Sequence, residues 1–431
     1  MEVAALYEIF KQYPQVTTDS RNCPKDSIFW ALKGDSFNGN DFAAKALEAG
    51  CSYAVVDEAR VVDPTDTRYL LVDDALKAMQ DLAHFHRCQF QIPVLQITGT
   101  NGKTTTKELI AAVLGRKYQV LYTQGNLNNH IGVPRTLLRL NAGHQIAVVE
   151  TGANHPGEIK FLTDIVEPDY GLITNVGMAH LAGFGSFEGV KRTKGELYDY
   201  LRQTGKKAFV HYPDVSLQQM SVGLDVVRYA SQLVKEDILQ GELLACDPYV
   251  RFRWKWNGEE YSVSTHLVGS YNLPNMMAAI AVGLYFHVAP NEICIALEEY
   301  IPSNNRSQML ETAKNHLVVD AYNANPTSMK AAVENFRLMQ NNPKMLILGE
   351  MKELGEASIE EHQKIVNQVQ SAGFDNVWLV GEEFEKTKHD FRSFRSVESV
   401  IEELKNNQPQ GYYILIKGSN GTRLFTLPEY L

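Results

Sequence analysis

The 431-residue chain reads as an α/β protein built of three successive units, and three observations predict this. Short apolar runs alternate with amphipathic helical stretches along most of its length. From Gln91 onward that alternation settles to the spacing of βαβ units, which implies a mostly parallel sheet. The first strand of that sheet, Pro93-Val94-Leu95-Gln96-Ile97, runs directly into Thr98-Gly99-Thr100-Asn101-Gly102-Lys103-Thr104-Thr105, a glycine-bearing turn that opens a helix.

The first unit spans residues 1–88. Strands are expected at 27–30, 53–56 and 69–72, with helical stretches at Phe42 to Ala49 and Ala75 to Cys88, so a small α/β domain fits. The second spans 89–300, with strands at 93–98, 119–123, 145–150, 170–175 and 207–211. Within it the character changes at 225–268. The run Arg251 to Trp256, then Asn257-Gly258, then Tyr261 to Ser264 is a β-hairpin signal, and a small antiparallel appendage is expected there. Met276 to Phe286 is the longest apolar stretch; it is too short to cross a bilayer and reads as a buried helix, so no stable membrane insertion is expected. The third unit, 301–431, alternates strands at 316–320, 344–348, 376–380 and 412–416 with helices at 328–340, 359–372 and 397–406, a doubly wound, Rossmann-like pattern.

Composition narrows the function classes. Hydrophobic residues make up 44% and charged residues 21%, ordinary for a globular protein. A formal net charge of −10 argues against broad nucleic-acid binding, which needs a basic face. The five cysteines are scattered with no CxxC pair, which reads as free thiols in a reducing cytoplasm. Met1 to Phe10 has neither a basic start nor a long apolar core, so no signal peptide is expected.

The segment 98–105 holds the parts needed to bind a nucleotide triphosphate. Glycines let the backbone curl so that its N–H groups face one point, the helix start adds a partial positive charge, Lys103 adds a full one, and a threonine hydroxyl can ligate Mg²⁺. The spacing is short. The common phosphate loop has a glycine five residues before its Gly-Lys pair, and here that position is Ile97 while Gly99 lies three before Gly102.

Other polar clusters fall at strand ends, where open α/β sheets place their sites. Glu150-Thr151-Gly152-Ala153-Asn154 follows one strand and Asn175 to His180 the next. A carboxylate and an imidazole at neighbouring strand ends suit a Mg²⁺ bridging phosphate oxygens, although a lone strand-end histidine is more often structural. Thr123 to Pro134, with Asn126, Asn128, Asn129 and glycines, is denser in amides than a plain loop requires and reads as ligand-contacting. Lys191 to Glu196 taken alone is a solvated helix face. Asp320 to Pro326 suits a turn and helix N-cap. Lys417 to Arg423 reads either as an anion contact or as a flexible basic turn.

Gly99 to Thr105 resembles the short phosphate loop of the Mur ligases and folylpolyglutamate synthetases, three-domain ATP-dependent amide ligases. The likeness extends over nearly the whole chain. Thr18 to Arg21, Phe29 to Gly34 and Phe37 to Phe42 are similar to the family's UDP-sugar-binding first domain. Asp320 to Pro326 with Ser328-Met329, and Leu348 to Gly355 with His362, resemble the member that adds D-alanyl-D-alanine to UDP-N-acetylmuramoyl-tripeptide; the Asp-Asn-Pro-Arg type motif of the relative that adds a single third amino acid is missing.

The resemblance implies ATP and Mg²⁺ as cofactors and an acyl-phosphate route, in a monomer with those two substrates as partners. Gly99, Thr100, Asn101, Gly102, Lys103, Thr104 and Thr105 would hold the nucleotide, with Asn272 on adenine, Arg306 on the phosphates and Asp320 on the ribose. Thr104 and Glu150 would hold one Mg²⁺ and His180 a second, and Lys194, rather than Lys191, would be the carbamylated lysine that helps hold metal. Lys103, His180 and Lys194 are thus the implied catalytic groups. Ser20, Arg21 and Lys33 would meet the UDP part, Asn126, Asn128 and Asn129 the muramoyl part, and Tyr322, Asn323, Asn325 and Ser328 the incoming dipeptide or the nucleotide. The chain departs from the family's usual residues at Tyr271-Asn272, at His211 to Asp214 and at Asn305-Arg306. Other readings are a ligase of the same fold that adds a single amino acid, and a nucleotide-binding relative that has lost catalysis.

Overall fold

The computed structural model describes every residue except His180 and Asn304, and the backbone but not the side chain of Leu181. Its elements form three α/β sheets plus a small hairpin. Two compact units divide the chain: residues 1–96 with 118–152 and 160–170, and residues 97–117 with 153–159 and 171–431.

The first sheet runs Gln15–Thr17, Ser27–Trp30, Tyr53–Val56, Tyr69–Leu71, parallel throughout. Side chains alternate between its faces. Ile28, Trp30 and Val55 join the core under the helices Val3–Gln12 and Ala75–Arg87, while Phe29, Ala54 and Val56 pack on Ala43–Glu48. Asp74 caps the Ala75 helix by accepting from Lys77 N at 2.8 Å.

The central sheet has nine strands, in the order Glu259–Val268, Tyr249–Trp256, Leu239–Cys246, Asp225–Ala230, Lys207–His211, Tyr170–Ile173, Val94–Thr98, Ile146–Glu150, Val120–Tyr122. The chain order reverses at Val94–Thr98, whose five residues are all buried, as a central parallel strand requires. The hairpin forms as expected, with Asn257 at φ 50° and Gly258 at φ 82°, the two positive values of a type I′ turn. It is not an appendage. Asp225–Ala230 pairs in parallel with both Lys207–His211 and Leu239–Cys246, so the hairpin continues the sheet. Those two connecting strands were hard to foresee because they are half-exposed and interrupted by polar residues.

The third sheet runs Gln308–Glu311, His316–Asp320, Tyr413–Lys417, Lys344–Gly349, Asn376–Val380, Arg392–Phe394, parallel except for its first strand. Leu317, Val319, Ile414, Ile416 and Ile347 face one helical layer; Val318, Leu346, Leu348 and Leu415 face the other. The two edge strands, short and partly exposed, lie outside the sequence expectation. The helix Leu273–Tyr285 is buried on nearly all sides, and among the described residues no helix is long and apolar enough to cross a membrane.

Candidate functional site

The phosphate loop is shaped by two glycines with no alternative. Gly99 has φ 141°, and a Cβ there would lie 2.0 Å from Thr174 Oγ1. Gly102 has φ 78°, and a Cβ there would lie 2.6 Å from Asn275 Oδ1. Between them the backbone is clamped from the neighbouring strand end. Thr100 N donates to Asn175 O at 3.0 Å, Asn101 N to Asn175 Oδ1 at 3.0 Å, and Thr174 Oγ1 and Asn175 Nδ2 donate to Asn101 O at 2.6 and 3.0 Å. Gly177 N donates to Thr100 Oγ1 at 2.9 Å. The helix Lys103–Gly115 then begins with Gly102 as a cap that brings no side chain, which aims a bare helix start at the loop. Lys103 Nζ folds back on the curl and donates to Gly99 O at 2.8 Å and Thr100 O at 3.1 Å. Thr104 and Thr105 follow it in the first turn, both buried.

Lys194 lies on the helix Phe187–Thr204 and is 2% exposed. Burial, and then the Lys103 ammonium, bring its pKa down from 10.5 to about 7. Its Nζ sits 5.6 Å from the Phe184 ring centroid. A lysine amine that is half neutral at pH 7 is a nucleophile towards CO₂, which an ordinary lysine is not. His180 lies outside the described residues.

The third domain supplies a second cluster. Asp320 and Lys417 end neighbouring parallel strands in register, and Lys417 Nζ reaches Asp320 Oδ2 at 2.6 Å and Asn323 O at 3.3 Å. Lys417 is 1% exposed, so it is a buried partner of the 320–323 turn, not a flexible basic turn. Arg306 stacks on Tyr322, its guanidinium carbon 3.7 Å from the ring centroid, and its buried Nε has no hydrogen-bond partner among the described residues. Ser307 N approaches Asp320 Oδ1 at 3.4 Å. Asn323 Oδ1 accepts from its neighbour Ala324 N at 2.8 Å. Asn325 and Ser328 form a reciprocal capping box at the start of Pro326–Leu338. Asn325 also reaches the phosphate loop, its Nδ2 donating to Asn101 Oδ1 at 2.7 Å. Asn272 is 3% exposed; its Nδ2 donates to Val268 O and its Oδ1 accepts from Asn275.

In the other compact unit Glu150, wholly buried at the end of Ile146–Glu150, accepts from Asn128 Nδ2 at 2.7 Å. Its N–H donates to Thr123 Oγ1 at 2.9 Å, and Gly152 N to Asn128 O at 2.7 Å, which fastens the 123–134 loop to the strand. Asn129 Oδ1 accepts from Ile131 N and Gly132 N at the start of Gly132–Leu137, and Asn126 is exposed. Arg21 grips Asp19 with two parallel contacts of 2.9 Å, which hold the Asp19 carboxyl down at about 2. Lys33 Nζ pairs with Asp57 at 3.0 Å and Glu58 at 3.2 Å. Ser20 is half-buried beside Arg21, its carbonyl accepting from Cys23 Sγ at 3.5 Å.

Thus the structure joins the loop 99–103 to Asn325 and couples Lys103 to Lys194. It gathers Asp320, Asn323 and Lys417 in one cluster and stacks Arg306 on Tyr322; Arg21 and Lys33 engage separate acidic partners. Asn175 was legible only as the head of a polar cluster, and sequence reasoning did not single out Thr174, which bonds the loop, or Asn275, which packs against Gly102. For Asn275 a signal existed, a lone amide within the apolar run Leu273–Tyr285. The Thr104 hydroxyl and the buried Glu150 carboxylate are each hard oxygen groups of the kind that Mg²⁺ takes.

Three family profiles match the chain: "Mur ligase family, catalytic domain" over residues 12–87, "Mur ligase middle domain" over 97–283 and "Mur ligase, glutamate ligase domain" over 305–420. The UDP-N-acetylmuramoyl-tripeptide–D-alanyl-D-alanine ligase of Bacillus subtilis is 33% identical over 95% of this chain and 91% of its own, and that of Escherichia coli 35% identical over 85% and 81%. A crystal structure of MurF from Acinetobacter baumannii matches at TM-score 0.85 and 31% identity, covering 99% of this chain and 97% of that one. MurF from Thermotoga maritima in complex with ADP matches at TM-score 0.83 and 25% identity, covering 97% of both. With a third of its residues shared along almost its full length, the chain belongs to the Mur ligase family.

Proposed function

We propose that this protein is an ATP-dependent ligase of peptidoglycan precursor synthesis. It joins D-alanyl-D-alanine to UDP-N-acetylmuramoyl-tripeptide, giving the UDP-linked pentapeptide, ADP and phosphate. The observation that carries the reading is the clamped loop 99–103, with Lys103 at a bare helix start and Asn101 bonded to the capping residue of the third domain. The reaction needs ATP's γ-phosphate held beside an acceptor that another domain brings in. Residues 1–88 serve as the UDP-sugar domain, 89–300 as the ATP domain and 301–431 as the dipeptide domain of a cytoplasmic monomer.

A carboxylate resists attack because oxide is a poor leaving group. In the first step the tripeptide's terminal carboxylate oxygen bonds to the γ-phosphorus of ATP and ADP leaves. In the second the neutral amine of the dipeptide bonds to the acyl carbon, phosphate leaves with the electron pair, and the amine proton goes to solvent. The protein's contribution is position and charge. Lys103 turns from its loop carbonyls to the phosphates, which the loop 99–105 cradles. Arg306 offers its unpartnered Nε to the same anion, Asp320 faces the ribose and Asn272 the adenine edge. Thr104, Glu150, His180 and, once carbamylated, Lys194 would hold Mg²⁺, which would supply neutralisation of phosphate charge. Asn126, Asn128 and Asn129 bind the muramoyl part, Ser20, Arg21 and Lys33 the uridine diphosphate part, and Tyr322, Asn323, Asn325 and Ser328 orient the dipeptide.

The test is phosphate release from ATP with UDP-N-acetylmuramoyl-tripeptide, comparing D-alanyl-D-alanine with single amino acids. Turnover with the dipeptide alone is expected. Equal turnover with a single amino acid would point to a different member of the family, and no turnover with any acceptor to a silent relative.

A further inference from the structure

Three donor groups of different chemistry converge away from the nucleotide loop, at the end of the helix Ala75–Arg87. His84 and Cys88 are four residues apart, one helical turn, so their side chains leave the same face. Glu167 follows the helix Glu158–Val166 and meets them. His84 Nε2 is 2.9 Å from Glu167 Oε1, and Cys88 Sγ is 3.9 Å from Glu167 Oε2. One nitrogen, one sulfur and one oxygen all lie within 4.8 Å of one another.

The carboxylate is held there by design of the backbone. Glu167 has φ 44°, in the left-handed region that favours glycine, so a glutamate is a costly choice for this turn. Arg87, 7% exposed, fixes it: Nε donates to Val166 O, Nη2 to Glu167 O and Nη1 to Phe90 O, each at 3.0 Å.

We propose that His84, Cys88 and Glu167 form a binding site for a borderline-soft divalent metal of the Zn²⁺ type, with water in the fourth position. Zinc bond lengths of about 2.0–2.3 Å put neighbouring donors in a tetrahedron about 3.3–3.6 Å apart, and three donor atoms already within 4.8 Å of one another need only a small contraction to reach it. The side-chain ends are partly exposed and free to make the small adjustment. A mixed nitrogen, sulfur and oxygen set disfavours Mg²⁺ and Ca²⁺, which take oxygen. Burial and the adjacent Glu167 charge push the Cys88 thiol up; a bound cation offsets that charge, and the thiol gives up its proton as the metal–sulfur bond forms. The site clips the last turn of the Ala75 helix to the turn after Val166.

The test uses the full-length, untagged, reduced protein in excess Mg²⁺, titrated with ZnCl₂ against a chelating dye and separately with CoCl₂. One Zn²⁺ per chain is expected, with a thiolate-to-cobalt charge-transfer band and a rise in Tm on adding Zn²⁺. Cys88→Ser and His84→Ala should each weaken binding at least about tenfold, since even indirect partners of a metal contribute that much. Glu167→Gly should keep the Tm of the metal-free protein or raise it, while abolishing the Zn²⁺-dependent rise. Absence of the charge-transfer band overturns the site, and so does binding that survives either His84→Ala or Cys88→Ser unchanged.

Discussion

The loops at 98–105 and 123–134 look alike in sequence, each a run of threonine, asparagine and glycine after a parallel strand, yet they are built differently. In the first, both glycines are sterically required, Thr174 and Asn175 bond the backbone of Asn101, and Asn275 crowds Gly102, so the shape exists before any ligand arrives. In the second, Gly125 has φ 54° but a Cβ there meets nothing within 4 Å, Asn129 caps its own helix, and Thr123 and Asn128 reach inward, to Glu150. A small, highly charged ligand rewards a rigid cradle, whereas a larger and less charged one is served by a margin with exposed amides. Glycine spacing is therefore informative in the first loop and weakly so in the second.

Five substitutions test this contrast. The largest effect belongs to Lys103→Ala, which should lower kcat for ATP-dependent phosphate release by roughly 10³-fold, as loss of a charge-stabilising donor does. Its Tm should stay close to that of the wild type; a folded variant with full turnover would remove Lys103 from the chemistry. Gly99→Ala should destabilise the fold by about 3 kcal/mol in denaturant unfolding, because a close contact and a forbidden φ coincide. Gly125→Ala should cost only about 1 kcal/mol, and equal losses would erase the distinction between the loops. Asn128→Ala removes a charge-assisted hydrogen bond from the buried Glu150 and should cost about 2 kcal/mol, against about 0.5 kcal/mol or less for exposed Asn126→Ala.

Lys194 ties pH to the first loop. Its folded pKa is lowered from 10.5 to about 7, so its neutral fraction rises from about a tenth at pH 6 to about nine-tenths at pH 8. At fixed dissolved CO₂, a ¹³C carbamate signal and the activity should rise together across that range. The same shift means that the unfolded chain binds the extra proton between about pH 7 and 10.5, so this group's contribution to stability improves as pH rises through that window. Lys103→Ala removes a like charge and should move the carbamate transition upward in pH; an unmoved transition would show that the two lysines are independent.

Much of the fold was legible because the main strands are continuous apolar runs bounded by turn residues. The Val94, Ile146, Lys207, His316 and Asn376 strands, the Asn257-Gly258 turn and the helices Ala75–Arg87 and Val397–Asn406 all fall within a residue or two of expectation. Short edge strands such as Gln15–Thr17 and Arg392–Phe394 escaped, since hydrogen bonds to a neighbour, and not their own patterning, make them strands. The antiparallel appendage was misjudged for the same reason: Asp225–Ala230 and Leu239–Cys246 are recruited by pairing on both sides.

The site divides likewise. The reading of 98–105 as a triphosphate loop rests on residue types in a local order, because a strand, two glycines, a lysine and a helix start act within one turn of chain. Contacts between residues distant in sequence could not be read that way. Lys417 became the buried partner of Asp320 only through the register of two parallel strands. Asn325, legible as a helix cap, became a tie to Asn101 only because folding brings residues 224 positions apart within hydrogen-bond reach. Lys194, a charge on a polar helix face by sequence, lost most of its preference for the proton only when packing took it out of water beside another cation. The sequence alone determined the main elements and the glycine turn at 98–105, since both depend on local backbone geometry and patterning; tertiary structure decided the edge and connecting strands, the pairings and the acidity, since these depend on which groups are brought together.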